Sequence, residues 1–466
     1  MSETKDYFFC GIGGSGMLPL AMIVNARGAH VEGSDRALDQ GRSNAKFDYL
    51  RDLGIALHPQ DGSGLVRASQ ILVASAAVED TVPDVVAANK LGASRLSRAA
   101  LLAKLFNESR RPIGVAGTSG KSTTTGMIGW ILHHAGHSPT VMNGAVMKNF
   151  VTDDALFASA LVGDGDEFVS EVDESDGSIA MFSPKIAVLN NISLDHKTMD
   201  ELRALFGGFI GRSELAVLNL DNDETARLAK SHEGGMLTYS LRDDSADLFA
   251  TKIRPQPFGV SFTVLHKGSE SADISLKMPG RHNVSNALAA IAAARACGVP
   301  LADAAAALGE FLGVRRRLEF VGTEKEITLI DDFGHNPDKI TASLKTLHEF
   351  PGRLLVMFQP HGFGPLKKMK SEFIETFVNN LGPDDVLIMP QPVYFGGTVD
   401  RSVNSDDIVK GVNDGGRKAV ALPDRDACRD YIEKHVKSGD RVIIMGARDD
   451  TLSDFAQSIL QWIAGR

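Results

Sequence analysis

Residues 117–125 read Gly-Thr-Ser-Gly-Lys-Ser-Thr-Thr-Thr, between an apolar stretch, Pro112 to Ala116, and an amphipathic one that runs to Gly136. Strand, glycine turn, Lys-Ser and helix in that order make a phosphate cradle. Backbone N–H groups of the turn and the positive end of the helix dipole hold phosphate oxygens, a lysine adds mobile charge, and a hydroxyl binds Mg²⁺. Lys121 and Ser122 fill the last two roles. The strict motif also wants glycine where this chain has Val115, so the loop is a shortened Gly-Thr-x-Gly-Lys-Ser variant. A turn that merely caps a helix is the bland alternative, and the flanking strand and helix argue against it.

Glu171-Val172-Asp173-Glu174-Ser175-Asp176 sets four carboxylates within six residues directly after an expected strand. Beside a triphosphate such a cluster supplies hard oxygen ligands for Mg²⁺; the alternative is an exposed acidic turn with no ligand, and the position after a strand argues against it. His196, beside Asp195, ends another expected strand and is open to a metal, substrate or structural role. Gly11-Ile12-Gly13-Gly14-Ser15-Gly16 follows the strand Tyr7 to Cys10, with Asp35 at the distance of a ribose-binding acid. That pattern places a diphosphate on a helix N-terminus without choosing between NAD and a UDP-sugar. Arg315-Arg316-Arg317 reads as a solvated cluster or as a clamp on a transferring phosphoryl group.

These groups need a scaffold, and strand–helix alternation supplies it in three sections. The expected architecture is α/β: a Rossmann-like domain over 1–108, a central P-loop-type ATPase domain over 109–313 and a Rossmann-like C-terminal domain over 314–466. In the middle section, strands at Phe168 to Val172, Ile186 to Asn190 and Leu215 to Leu218 point Glu171, Asp173, His196 and Asp221 towards one crevice, because open parallel sheets bind ligands at strand carboxyl ends. An Ala-rich helix is expected from Asn286 to Ala296, and parallel sheets in all three sections. A formal charge of −10 argues against general nucleic-acid binding. Three scattered cysteines indicate neither a disulfide framework nor a zinc site, which fits a reducing cytoplasm. Neither a signal peptide nor a membrane span is expected.

Taken together, GIGGSGM at 11–17, GTSGKSTTT at 117–125, EVDESDGS at 171–178, NNISLDH at 190–196, PGRHNVSNALAA at 279–290, RRLEF at 316–320, DDFGHNP at 331–337 and FQPH at 358–361 resemble the Mur ligases, the ATP-dependent amino-acid ligases of peptidoglycan synthesis. The branch that joins L-alanine to UDP-N-acetylmuramate is nearest. The resemblance implies that Gly11, Gly13, Ser15, Gly16 and Met17 meet the UDP-sugar diphosphate, with Asp35 at the uridine end and Ser75 and Arg98 lining the site. Gly117, Thr118, Ser119, Gly120, Lys121, Ser122 and Thr123 would hold ATP. Ser122 and Glu171 would bind one Mg²⁺ and His196 a second, Asn283 and Asn286 would contact adenine, and Arg317 and Asp332 would close on the nucleotide. Lys121, Glu171, His196 and Arg317 carry the catalysis in this reading. The partners are small-molecule substrates, in a monomer or homodimer with no nucleic acid or membrane.

The chain departs from the alanine-adding pattern after FQPH, where arginines that hold the acceptor carboxylate give way to Gly362-Phe363-Gly364-Pro365-Leu366-Lys367. Ser119 and Asn336 replace histidines. His335, His361, Lys367 and Arg448 are the remaining acceptor candidates. Alternatives are another acceptor (glycine, a different amino acid or murein tripeptide), a nicotinamide-dependent dehydrogenase, and a binding protein that has lost catalysis.

Overall fold

A computed structural model describes residues 5–76, 78–194, 197–267, 270–393, 400–447, 449 and 451–465. The first sheet has five parallel strands in the order Ala56–His58, His30–Ser34, Asp6–Cys10, Ile71–Ala74, Arg95–Ser97. Phe8 and Phe9 are both fully buried although they point to opposite faces, as a strand covered on both sides requires. Strand order reverses around Asp6–Cys10, so the glycine turn that follows it lies at the switch point, where such sheets bind nucleotides.

The second sheet runs Glu270–Leu276, Gly259–His266, Leu248–Gln256, Gly235–Ser240, Leu215–Asn219, Ile186–Leu189, Arg111–Ala116, Glu167–Glu171, Thr140–Met142, Ala160–Leu161. Arg111–Ala116 has parallel neighbours on both sides, and Ile113, Val115 and Ala116 are fully buried. This order brings three strand ends together: the phosphate loop leaves the central strand between Glu171 on one side and Asn190-Asn191 on the other. Ala160–Leu161 is antiparallel, so this sheet is mixed rather than parallel throughout. The four strands between 235 and 276 are absent from the reading of the sequence, although Leu248–Gln256 alternates, first between buried and half-buried positions and then between exposed and half-buried ones. The Ala-rich helix spans Arg281–Ala296, starting earlier than expected. Residues 287–294 are fully buried in it; small side chains on every face let it lie deep, with Asn283 and Asn286 near its start.

The third sheet runs Glu319–Glu324, Ile327–Asp332, Arg441–Met445, Leu354–Phe358, Val386–Pro390, Lys418–Leu422, parallel except for its first, antiparallel edge strand. The chain forms two compact units. One holds residues 1–254, 261–277 and 282–314, and the other residues 255–260, 278–281 and 315–466. Within the former, the Arg27 guanidinium sits 5.4 Å from the Phe168 ring centroid. Asn107 donates to Met181 O and accepts from Ser183 N, both at 2.9 Å, joining the first two sheets. Among the described residues no helix is long and apolar enough to cross a membrane.

Candidate active site

The phosphate loop keeps its shape because two of its positions admit only glycine. Gly117 and Gly120 have φ of +132° and +82°, and a Cβ at Gly120 would lie 2.5 Å from Asn286 Oδ1 and 2.9 Å from Asn190 Nδ2. Asn191 pins the loop from the next strand end: its backbone carbonyl accepts from Thr118 N at 3.1 Å and its Oδ1 from Ser119 N at 2.9 Å. The helix Lys121–His134 starts there, and its first-turn N–H groups have no intrahelical acceptor, the geometry that suits an anion.

Lys121 Nζ donates to Gly117 O at 2.7 Å and to Glu174 Oε2 at 2.9 Å. Burial pushes the Lys121 pKa down, but Glu174, Asp173 and Glu171 outweigh it and leave the ammonium above its ordinary value. Burial likewise opposes ionisation of Asp173, and Lys121 with the Ser175 hydrogen bonds brings it below its ordinary value. Ser122 Oγ donates to Glu171 Oε2 at 3.1 Å, and Gly144 N donates to Glu171 Oε1. Two oxygens at that separation suit adjacent corners of an Mg²⁺ octahedron, about 3.0 Å apart for bonds near 2.1 Å. Asn190 Oδ1 is buried with no hydrogen-bond partner among the described residues, leaving an acceptor beside the loop. Thr123 is buried. Asn283 and Asn286 are buried and bonded to each other at 3.2 Å, and Thr124 Oγ1 donates to Asn286 Oδ1 at 3.3 Å. They brace the loop from below. His196, the expected second metal ligand, lies outside the described residues, as does Arg448.

In the first sheet, Gly11 N and Ile12 N donate to Ser34 O at 2.8 and 3.0 Å, closing the glycine turn on the neighbouring strand. Asp35 accepts from Gly13 N at 2.9 Å and from Ala37 N at 2.8 Å, so one carboxylate shapes the turn and caps the next helix. A Cβ at Gly16 would lie 3.0 Å from Arg98 Nη1, which places the guanidinium against the turn. Ser15 is exposed, Met17 buried, and Ser75 half-buried at the end of the adjacent strand. A 310 Å³ cavity at the same sheet edge is lined by Arg36, Asp39, Gln60, Glu79, Thr81, Val82 and Pro83. The compact grouping Asp6, His30 and Glu32 sits at the opposite, amino edge, where Arg67 already bonds both carboxylates.

In the third sheet the arginine run divides. Arg316 is buried at φ +59° and donates to Gly446 O at 2.6 Å, Asp449 O at 2.9 Å and Asp331 Oδ1 at 3.4 Å. It is a structural tie. Arg317 lies 4.4 Å over the Phe333 ring, whose centroid is also 5.2 Å from the Arg316 guanidinium. Asp332 accepts from Leu318 N at 3.0 Å and Ser343 Oγ at 2.7 Å, fixing the backbone next to Arg317. Burial first, then Lys339, drives the His335 pKa down to about 3, so its imidazole is neutral, with Nδ1 3.0 Å from Phe333 O. His361 is half-buried and adds to the same electrostatic environment. Lys367 is half-exposed and paired with Asp400 on the helix Phe363–Lys368.

Three family models match in succession: "Mur ligase family, catalytic domain" over 6–110, "Mur ligase middle domain" over 115–294, and "Mur ligase, glutamate ligase domain" over 316–448. The UDP-N-acetylmuramate–L-alanine ligase of Geotalea uraniireducens is 35% identical over 454 residues, covering 96% of this chain and 95% of its own. The chain belongs to the Mur ligase family. The solved UDP-N-acetylmuramate–alanine ligase of Thermotoga maritima superposes with TM-score 0.81 at 25% identity, covering 99% of both chains. A murein peptide ligase of Psychrobacter arcticus gives 0.74 at 25%, again covering 99% of both. Membership in the Mur ligases leaves the dehydrogenase alternative without support. Sequence reasoning passed over Arg425, which donates to Gln359 Oε1 at 2.9 Å, Thr451 Oγ1 at 2.8 Å and Asp449 Oδ2 at 2.5 Å. The only sequence signal was its place after a strand and an N-capping Asp424.

Proposed function

We propose that this Mur ligase uses ATP to join the carboxylate of UDP-N-acetylmuramate to L-alanine, releasing ADP and phosphate. The observation that carries the reading is the convergence of Lys121, Ser122 and Glu171 on the anion-binding end of one helix. A muramyl carboxylate oxygen attacks the γ-phosphorus, ADP leaves, and an acyl phosphate forms. The amine then attacks the acyl carbon, phosphate departs with the C–O electron pair, and the nitrogen sheds its proton. Lys121 opposes the repulsion between carboxylate and polyphosphate by remaining an ammonium inside the fold. Ser122 and Glu171 would hold Mg²⁺, whose charge spreads over the phosphate oxygens. The glycine turn, Asp35 and Arg98 form the UDP-sugar site.

A different acceptor is the second reading. It is favoured by the segment after His361, where the helix Phe363–Lys368 carries Lys367 in an ion pair with Asp400 instead of the arginines of the alanine-adding pattern. Phosphate release from Mg-ATP and UDP-N-acetylmuramate, scanned over the twenty amino acids and murein tripeptide with product masses, separates the two. Stimulation by L-alanine alone supports the first. Stimulation by another amine alone replaces it with the second, and silence with every acceptor refutes both.

A further inference from the structure

The phosphate-loop lysine is already committed. Its ammonium lies 2.9 Å from Glu174 Oε2, and Glu174 is only 5% exposed. The carboxylate is on a rigid turn: Gly177 N donates to Glu174 O at 3.1 Å, Ile179 N to Asp173 O at 3.1 Å, and Ser175 N and Ser178 N to the side chains of Asp173 and Asp176. Beyond that turn, Asn107 clamps Met181 and Ser183. Glu174 is therefore held against drifting away with its loop, and the ion pair opens by rotation of one of the two side chains. Glu171, three residues earlier, is differently employed, bonded to Ser122 and Gly144 rather than to the lysine.

We infer that Glu174 is a latch on the phosphate loop, competing with phosphate for Lys121, so that a nucleotide binds by displacing this carboxylate. The inference rests on the reading of Lys121 as the phosphate-binding residue. A carboxylate left beside a polyphosphate repels it, whereas the same carboxylate screens Lys121 and keeps weaker anions off. Glu174 is in this sense a positioning residue that sets the threshold for nucleotide entry.

The test is equilibrium binding of fluorescent ADP to the full chain, with and without Mg²⁺, in wild type, Glu174→Gln, Glu174→Asp and Lys121→Ala. Removing one close like charge from a partly buried anion site is expected to tighten ADP binding about tenfold in Glu174→Gln, whether or not Mg²⁺ is present. Glu174→Asp, whose shorter stem loosens the grip, falls between wild type and Glu174→Gln, and it carries the test should the glutamine variant fail to fold. Weaker binding only with Mg²⁺ would make Glu174 a metal ligand and overturn the latch. Unchanged or uniformly weaker binding would overturn it as well. Wild type that binds no ADP, indistinguishable from Lys121→Ala, would instead sink the ATP reading itself.

Discussion

Gly120→Ala tests whether the floor of the phosphate loop is built as described. Two costs fall on this position. A left-handed φ of +82° costs a residue with a Cβ about 1–2 kcal/mol. The new methyl would also meet Asn286 Oδ1 at 2.5 Å and Asn190 Nδ2 at 2.9 Å. Neither amide is free to move, since Asn286 is bonded to Asn283 and Thr124, while Asn190 donates to Thr124 Oγ1 at 2.9 Å. Overpacking against such neighbours costs about 1–3 kcal/mol, for a total of about 2–5. Gly136 follows the same helix with φ +81°, and a methyl added there would have nothing within 4 Å, so Gly136→Ala carries the backbone cost alone. Urea unfolding of both variants therefore separates the terms, with Gly120→Ala the less stable by about 1–3 kcal/mol. ADP titration adds the functional half: a loop pushed off Asn286 carries Lys121 with it, so binding weakens at least about tenfold in Gly120→Ala and is unchanged in Gly136→Ala. Equal destabilisation of the two variants, or normal ADP binding by Gly120→Ala, would refute the packing argument.

Arg316→Met should destabilise the third domain by about 3–5 kcal/mol in urea unfolding, because Asp331 and two backbone carbonyls lose a buried partner; a loss below about 1 kcal/mol would mean the tie is dispensable. His335 has its folded pKa lowered to about 3, so its stabilisation is present above the unfolded value and lost as pH falls. Between pH 7 and 5 that amounts to about 2 kcal/mol for an unfolded pKa of about 6.5, and His335→Gln should flatten the pH dependence of unfolding by that amount. A wild-type slope retained in the variant would contradict it. Asp35→Ala should raise KM for UDP-N-acetylmuramate about tenfold with little change in the KM for ATP, since it frees Gly13 N and uncaps the following helix; an equal rise for both substrates would count against a local role.

Contiguous chemistry was legible in the chain and long-range bracing was not. Nine residues of glycine turn, Lys-Ser and threonines mark the strand, turn and helix by themselves, and Glu171, at the end of an expected strand, does meet Ser122. That Glu174 rather than Glu171 takes Lys121 depends on how the backbone turns after Glu167–Glu171, and the acidic run does not encode it at any one position. Asn191 meets Thr118 and Ser119 only because Ile186–Leu189 and Arg111–Ala116 pair in parallel, a choice of neighbours invisible in either segment alone. Arg316 and Arg317 make the point most sharply. They are chemically identical and adjacent and both lie over Phe333, yet a left-handed backbone at the first turns its guanidinium onto Asp331 and two backbone carbonyls, and the second is the one nearer the ring. The acceptor region follows the same logic: a motif search looks just after His361, whereas the cation that grips Gln359 is Arg425, brought there by the third sheet. If Arg425 holds Gln359 and Asp449 rather than a substrate, Arg425→Lys should lower kcat and raise the acceptor KM together, because the loop carrying Pro360 and His361 loses its anchor. An effect confined to the acceptor KM would instead make Arg425 the relocated carboxylate binder.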